Sequence, residues 1–407
     1  MEKKMDRSWA QPLAGLLREH RQIALLSGAR QSGKTTLARQ LLTEFNSKDN
    51  YLNWDDVNHR ELILKGPDAI IKYLNLEQIF AKKPLLVFDE LHKYKDWKNF
   101  LKGFFDRYEN DFRFLVTGSA RLDQYRKGGD SLMGRYFSYR LHPFTVRELA
   151  GEVDSGKLIQ SPLKLDAEIM TSLWQFGGFP EPFSRSDVRF FRRWQKLRQE
   201  QLFREDIRDS THIQEIQQLQ LLAALLTRYA GKETKYSTLA RSIRVSVDSI
   251  RRWLAVLEAF YFCFRIRPWH KNIATALRKE PRTYLWDWSM IADEGQKAEN
   301  FVACHLLKAT HWWSDLGHGE FDLFYLRTKE GKEVDFLVTR DQVPWFLLEV
   351  KRSKNAPLNP NLKWFQQKTG AEFAFQIYFE GEKQQVDCFT VRQPVKVSAA
   401  SLLGQLV

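Results

Sequence analysis

The stretch Gln22-Ile23-Ala24-Leu25-Leu26-Ser27-Gly28-Ala29-Arg30-Gln31-Ser32-Gly33-Lys34-Thr35-Thr36 decides the reading of this 407-residue chain. It opens with a short apolar run of strand length. Gly28 to Thr35 then fit G-x-x-x-x-G-K-[ST], and Thr36 to Phe45 continue with Leu37, Leu41 and Leu42 at helical spacing. Strand, glycine-rich turn and helix are the context in which this pattern cradles phosphate. Gly28 and Gly33 permit backbone angles that turn successive N–H groups toward an anion. The helix N-terminus adds positive partial charge. Lys34 would reach the β- and γ-phosphates of ATP, and Thr35 would offer its hydroxyl to Mg²⁺. Arg30, Gln31, Ser32 and Thr36 complete the candidate nucleotide-binding set.

Working outward, Pro84-Leu85-Leu86-Val87-Phe88-Asp89-Glu90 reads as a buried strand ending in two carboxylates. Beside a P-loop, Asp89 is placed to hold Mg²⁺ and Glu90 to orient or deprotonate the attacking water. Phe112 to Thr117 is a third strand, and Thr117 or Ser119 sits where a polar group would sense the γ-phosphate. The segments GARQSGKTTL (28–37), LLVFDELHKYKDW (85–97), FLVTGSARL (114–122) and SLMGRYFSYRLHPFTVREL (131–149) resemble prokaryotic AAA+ ATPases that carry a C-terminal domain of unknown function. Gly177-Gly178-Phe179-Pro180-Glu181 extends the resemblance beyond the core. It implies ATP hydrolysis, a homo-oligomer, and Arg135 as a candidate arginine finger. The alternative for Arg135 is a local carboxylate partner.

Residues 151–230 carry helical apolar spacing, as over Ala167–Phe176 and Phe190–Ile207, and read as a helical lid. Gly177, Gly178 and Pro180 make a candidate hinge. The cations between Arg185 and Arg198 read foremost as a solvated helix face. From Tyr236 the order is helix, turn, helix, strand, that of a winged helix-turn-helix, with Arg251 and Arg252 at the start of its second helix. Residues 231–290 hold twelve Lys or Arg against five Asp or Glu, a net +7 of the chain's +13. Such a patch suits phosphate contacts with DNA, or else the module serves protein docking.

The last third runs α-β-β-β-α-β. Asp335 lies on one strand and Glu349-x-Lys351 on the next. Residues two apart share one strand face. This resembles the PD-(D/E)xK signature of restriction-endonuclease-like folds. The resemblance implies that Asp335 and Glu349 hold Mg²⁺, that Glu299 on the preceding helix completes the metal site, and that Lys351 positions water or stabilises the phosphorane. Both a cleaving and a binding-only domain remain open.

Composition agrees with a globular chain: 43% apolar, 28% charged, 13 Pro and 21 Gly. Cys263, Cys304 and Cys388 are far apart and form no CxxC pair, which suits a reducing cytosol. No run approaches a membrane span. The expectation is an α/β protein: a P-loop AAA+ ATPase core over 1–150, a helical lid over 151–230, a winged helix-turn-helix over 231–285, and a restriction-endonuclease-like PD-(D/E)xK domain over 286–407.

Overall fold

The apolar run after Gln22 becomes a strand because every residue of Ile23–Gly28 is buried between helices, as a two-sided parallel strand must be. The computed structural model describes residues 7–77, 82–118, 132–208, 213–269, 280–380 and 386–407. They fall into two units, Lys3–Pro143 and Phe144–Val407.

The first unit runs α1 (Ala10–Glu19), β1 (Ile23–Gly28), α2 (Lys34–Glu44), β2 (Tyr51–Asn53), α3 (Val57–Lys65), α4 (Pro67–Tyr73), β3 (Leu85–Asp89), α5 (Trp97–Tyr108), β4 (Arg113–Gly118) and β5 (Tyr136–Leu141). Its five strands are parallel in the order β2-β3-β4-β1-β5. Strand order therefore reverses at β1, and the carboxyl ends of β1, β3 and β4 share one edge. That edge is where open α/β sheets bind ligands. Trp97, Leu101, Phe104 and Phe105 of α5 pack against Phe88, Phe114 and Val116. Burying each such side chain contributes roughly 1.5–3 kcal/mol.

The second unit begins with α6 (Val146–Ala150), α7 (Ala167–Phe176), α8 (Pro180–Arg185), α9 (Val188–Gln201), α10 (Ile216–Arg228), α11 (Tyr236–Ile243) and α12 (Val247–Ala259). The hairpin β6 (Cys263–Pro268) and β7 (Arg282–Leu285) follows. Then come α13 (Glu294–Asp315), β8 (Phe321–Arg327), β9 (Glu333–Arg340), β10 (Val343–Ser353), α14 (Pro360–Thr369), β11 (Phe373–Glu380), β12 (Val395–Ser398) and α15 (Ala399–Leu403). The expected α-β-β-β-α-β order is present from α13 to β11. The sheet is β12-β11-β10-β9-β8-β6-β7. The pairs β8/β9 and β9/β10 are antiparallel, and β10/β11 is parallel. Strand β6 joins the sheet through Arg267 and Pro268 against Phe324 and Tyr325 of β8.

The helices read as a lid pack inside this second unit. Trp288 Nε1 donates to Leu173 O at 2.8 Å, and the Trp174 ring lies 5.2 Å from Phe379. Arg198 stacks 3.8 Å over Phe179 and stands 3.5 Å from Asp287. Arg185, Arg189, Arg192, Arg193 and Lys196 face solvent, the bland reading of that cationic stretch. The segment around Gly177 is a packed turn, with Phe144 N donating to Gly178 O at 2.7 Å. Helix α6 is bound to α13 by Lys308 and Glu148, 2.5 Å apart and both buried. No described helix is long and apolar enough to cross a membrane. All three cysteines are free and buried.

Candidate functional site

The P-loop follows β1 at the carboxyl edge. Gly28 lies beside Leu141 of β5, and a Cβ on Gly28 would stand 2.4 Å from Leu141 O and 3.2 Å from Ser32 Oγ. Only glycine lets the loop turn here. Gly33 takes φ +97 and leads into α2, so Lys34 and Thr35 occupy its first turn. Lys34 Nζ donates to Gly28 O at 3.0 Å and Ala29 O at 2.9 Å, folded over the loop it would share with phosphate. Thr35 Oγ1 donates to Asp89 Oδ2 at 2.8 Å, so the two expected Mg²⁺ contacts already meet. Thr117 also donates to Asp89. The buried Ser32 hydroxyl lacks a hydrogen-bond partner among the described residues, as suits a group waiting for an anion. The loop and its carboxylate thus fit a Mg²⁺-nucleotide.

Glu90 takes the left-handed conformation, φ +57, which for a non-glycine residue often marks a functional site. Burial raises its pKa above the usual carboxylate range, although Lys34 and Lys93 pull the other way. A raised pKa suits a proton acceptor. Two contributors carried no motif in the sequence. Tyr51 donates to Asp89 Oδ2 at 2.5 Å, and Arg7 grips Ser32 O and His142 O, each at 2.5 Å. Tyr51 could be found only from the sheet, where β2 lies beside β3. Ser119 lies outside the described residues.

Arg135 lies at the opposite edge from the P-loop, where its carbonyl accepts from Ile23 N. Its guanidinium grips Asp106 with two bonds, 2.5 and 3.0 Å. A 710 Å³ cavity of this unit is at that edge too, lined by Arg18, Lys48, Lys82, Lys83 and Arg113 among others, and is not the P-loop site.

In the second unit three elements converge. Glu299 comes from α13, Asp335 from β9, and Glu349 and Lys351 from one face of β10. Val350 N donates to Asp335 Oδ2 at 2.9 Å. Lys351 Nζ and Asn359 Nδ2 donate to Glu349 Oε1 at 2.7 and 2.8 Å. Glu349 Oε2 is buried without a hydrogen-bond partner among the described residues. Burial pushes the Asp335 carboxyl well above its ordinary pKa, and Glu299 and Glu349 push it further. Glu299 is raised by burial and by Glu349, against the pull of Arg282 and Tyr284. Burial would lower the Lys351 pKa, but the bond to Glu349 raises it on balance.

Arg282 and Tyr284, on β7, enter the same cluster without any sequence signal. Tyr284 donates to Glu299 Oε1 at 2.6 Å. Arg282 lies 3.3 Å from Glu299, 2.9 Å from Glu333 and 3.6 Å from Asp335. Asn300 fixes β7 here, accepting from Leu285 N and donating to Leu285 O, both at 2.7 Å. Gly231 covers Glu299 so closely that a Cβ would lie 3.2 Å from Oε1. The donors suit a hard cation in kind. Their spacing does not: among the described residues no three His, Cys, Asp or Glu side chains stand together as a metal site.

Comparison with known proteins finds three matched segments along the chain. Residues 20–150 match the family described as AAA domain. The N-terminal unit carries an AAA-type P-loop ATPase core. Residues 167–294 match Domain of unknown function (DUF8612), and residues 294–396 match Domain of unknown function (DUF4143). "Uncharacterized protein Rv2008c" of Mycobacterium tuberculosis is 23% identical over 356 residues, 84% of this chain and 73% of its own. "Uncharacterized protein Mb2031c" of Mycobacterium bovis gives the same figures. Among solved structures, AMPPCP-bound DnaA from Aquifex aeolicus matches at 12% identity and TM-score 0.32, over 62% of this chain and 86% of that one. C. elegans PCH-2 matches at 15% and 0.25, over 62% and 67%. Both structures are too distant to position any residue.

In the AAA-type core, Lys34, Thr35, Asp89 and Glu90 thus gather at one edge, while Arg135 stands apart from them. In the second unit, Glu299, Asp335, Glu349 and Lys351 gather around Arg282. Arg251 and Arg252 are exposed on α12, and Arg251 stands 3.3 Å from Asp248.

Proposed function

We propose that this chain is an ATP-hydrolysing AAA-type protein that acts on DNA, and that residues 286–407 form a nuclease-like module of the PD-(D/E)xK kind. The convergence of Glu299, Asp335, Glu349 and Lys351 from three elements carries this reading. Lys34 and the P-loop amides would bind the nucleotide phosphates. Thr35 and Asp89 would hold Mg²⁺, which neutralises phosphate charge when bound. Glu90 would take a proton from the attacking water. Thr117, bonded to Asp89, would sense the γ-phosphate. The core would assemble with further copies of this chain, and the half-buried Arg135 would act there once it leaves Asp106.

The winged-helix reading of 231–285 draws support from α11, α12 and the β6/β7 hairpin. Ser246 caps α12 by accepting from Ser249 N at 3.0 Å. Arg241, Arg244, Arg251 and Arg252 present cations on the exposed side of the two helices. Phosphate contacts of this kind supply sequence-independent DNA affinity.

A second reading, a nucleotide-regulated DNA-binding ATPase whose nuclease-like module does not cut, is favoured by Arg282, which stands among the acids. The test incubates wild type, Asp335→Ala and Lys34→Ala with plasmid, linear and branched DNA, Mg²⁺ and ATP. Cleavage by wild type that Asp335→Ala abolishes is the expected result. Equal cleavage by the two would sink the nuclease reading. DNA binding without any cleavage would select the second.

A further inference from the structure

The donors of the C-terminal cluster are right for a divalent cation and their spacing is not, and one residue accounts for the difference. Arg282 reaches acids from two elements at once: Glu299 at 3.3 Å on α13, with Glu333 at 2.9 Å and Asp335 at 3.6 Å on β9. Its guanidinium lies 4.7 Å over the Tyr325 ring, and its side chain is 7% exposed. Glu299, Glu333, Asp335 and Glu349 are four acids, faced by Arg282 and Lys351, with the exposed Arg327 3.9 Å from Glu333 at the rim. An arginine keeps its charge at every accessible pH, so it leaves such a cluster only by moving. Its planar fork also presents its donors in a fixed geometry that matches carboxylates.

The backbone holds Arg282 in this place. It pairs with Ile266 across the β6/β7 hairpin and with Glu233 in an isolated bridge. Two residues on, Tyr284 is bonded to Glu299, and Leu285 is clamped by Asn300. Lys351, by contrast, contacts only Glu349 of the four acids and is 39% exposed, so it can turn outward. Arg282 is thus the buried cation at the centre of the cluster.

We propose that Arg282 is the resident counter-cation of this cluster, occupying the place of a divalent ion, so that metal enters only when the guanidinium is displaced. The inference rests on the nuclease-like reading of the cluster, but its test reads metal binding rather than cleavage.

Mn²⁺ is titrated calorimetrically into the nucleotide-free full chain, as wild type, Asp335→Asn, Arg282→Gln, Arg282→Lys and Arg282→Gln/Asp335→Asn. Arg282→Gln is expected to bind Mn²⁺ at least about tenfold more tightly than wild type, since a fixed positive charge is gone. The double variant is expected to lose that gain. Arg282→Lys is expected to fall between, and it decides the matter alone if Arg282→Gln does not fold. Unchanged or weaker Mn²⁺ affinity in the Arg282 variants, with Asp335-dependent binding in wild type, overturns the counter-cation role and leaves the metal reading intact. No Asp335-dependent binding in any variant overturns both.

Discussion

The P-loop and the C-terminal carboxylate cluster both gather groups suited to phosphate chemistry, yet they are built in opposite ways. The P-loop uses consecutive residues and backbone N–H groups, with Gly28 where a Cβ would strike Leu141 O. Its expected metal contacts, Thr35 and Asp89, already touch. The cluster instead uses side chains from α13, β7, β9 and β10, and its negative charge is met by the protein's own cations. A site made of backbone needs little beyond its local sequence. A site made of side chains is as ready as the most intrusive of them allows, and here that residue is Arg282.

The sharpest way to break the comparison is at the P-loop. Lys34→Ala is expected to lower the rate of ATP hydrolysis by about 10²–10³-fold, the scale of losing a preorganised charge partner. Glu90→Gln is expected to slow hydrolysis by about 10²-fold or more while keeping nucleotide affinity. Phosphate release and binding of a labelled nucleotide check both. A Glu90→Gln variant with normal turnover would remove Glu90 from the proton-transfer role.

DNA binding tests whether the second unit handles phosphate at all. Arg251→Ala and Arg252→Ala are each expected to weaken binding of every duplex alike and to reduce the salt slope by about 1. Anisotropy titrations over a salt series measure this. A slope already flat in wild type would argue against a DNA partner.

The cluster also makes a stability prediction. The folded-state pKa of Asp335 is raised above its unfolded value, so the folded chain binds this proton more tightly. Its stabilising contribution is therefore full at low pH and is lost as pH rises through the folded-state value. Asp335→Asn, which keeps an acceptor for Val350 N, is expected to raise the metal-free Tm at neutral pH and to have less effect at acid pH. Thermal melts across the range decide it, and a lower Tm at neutral pH would contradict the cost of burying this charge beside Glu299 and Glu349. The smallest expected effect is at Arg135. Its bidentate bond to Asp106 is at the surface, where ion pairs contribute little. Arg135→Ala should leave ATP hydrolysis within about twofold, whereas a loss near 10³-fold would assign it the finger role.

Legibility followed the same contrast. The P-loop, the strand ending in Asp89-Glu90 and the α-β-β-β-α-β order were readable because period, glycine and motif spacing are local. Glu299, Asp335, Glu349 and Lys351 were readable as a set because the resemblance to the PD-(D/E)xK pattern implied it, while spacing alone put Glu349 and Lys351 on one strand face. Tyr51 and Arg7 were not, since the first reaches Asp89 through sheet order and the second reaches Ser32 O across the fold. The helices of 151–230 carried a clear helical period but no indication of which unit they join. Period reports a buried face and not what buries it.

The amino-acid sequence by itself determined the phosphate loop, the carboxylate pair Asp89-Glu90 at the end of a strand and the element order of the last third, because those depend on neighbours a few residues apart. Only the tertiary structure decided that Arg282 and Tyr284 join the acids of α13 and β9, and that Arg135 faces Asp106. The reason is physical. Charges interact through space, and burial sets both their strength and their partners, so the state of an ionic cluster depends on which strands the fold lays side by side.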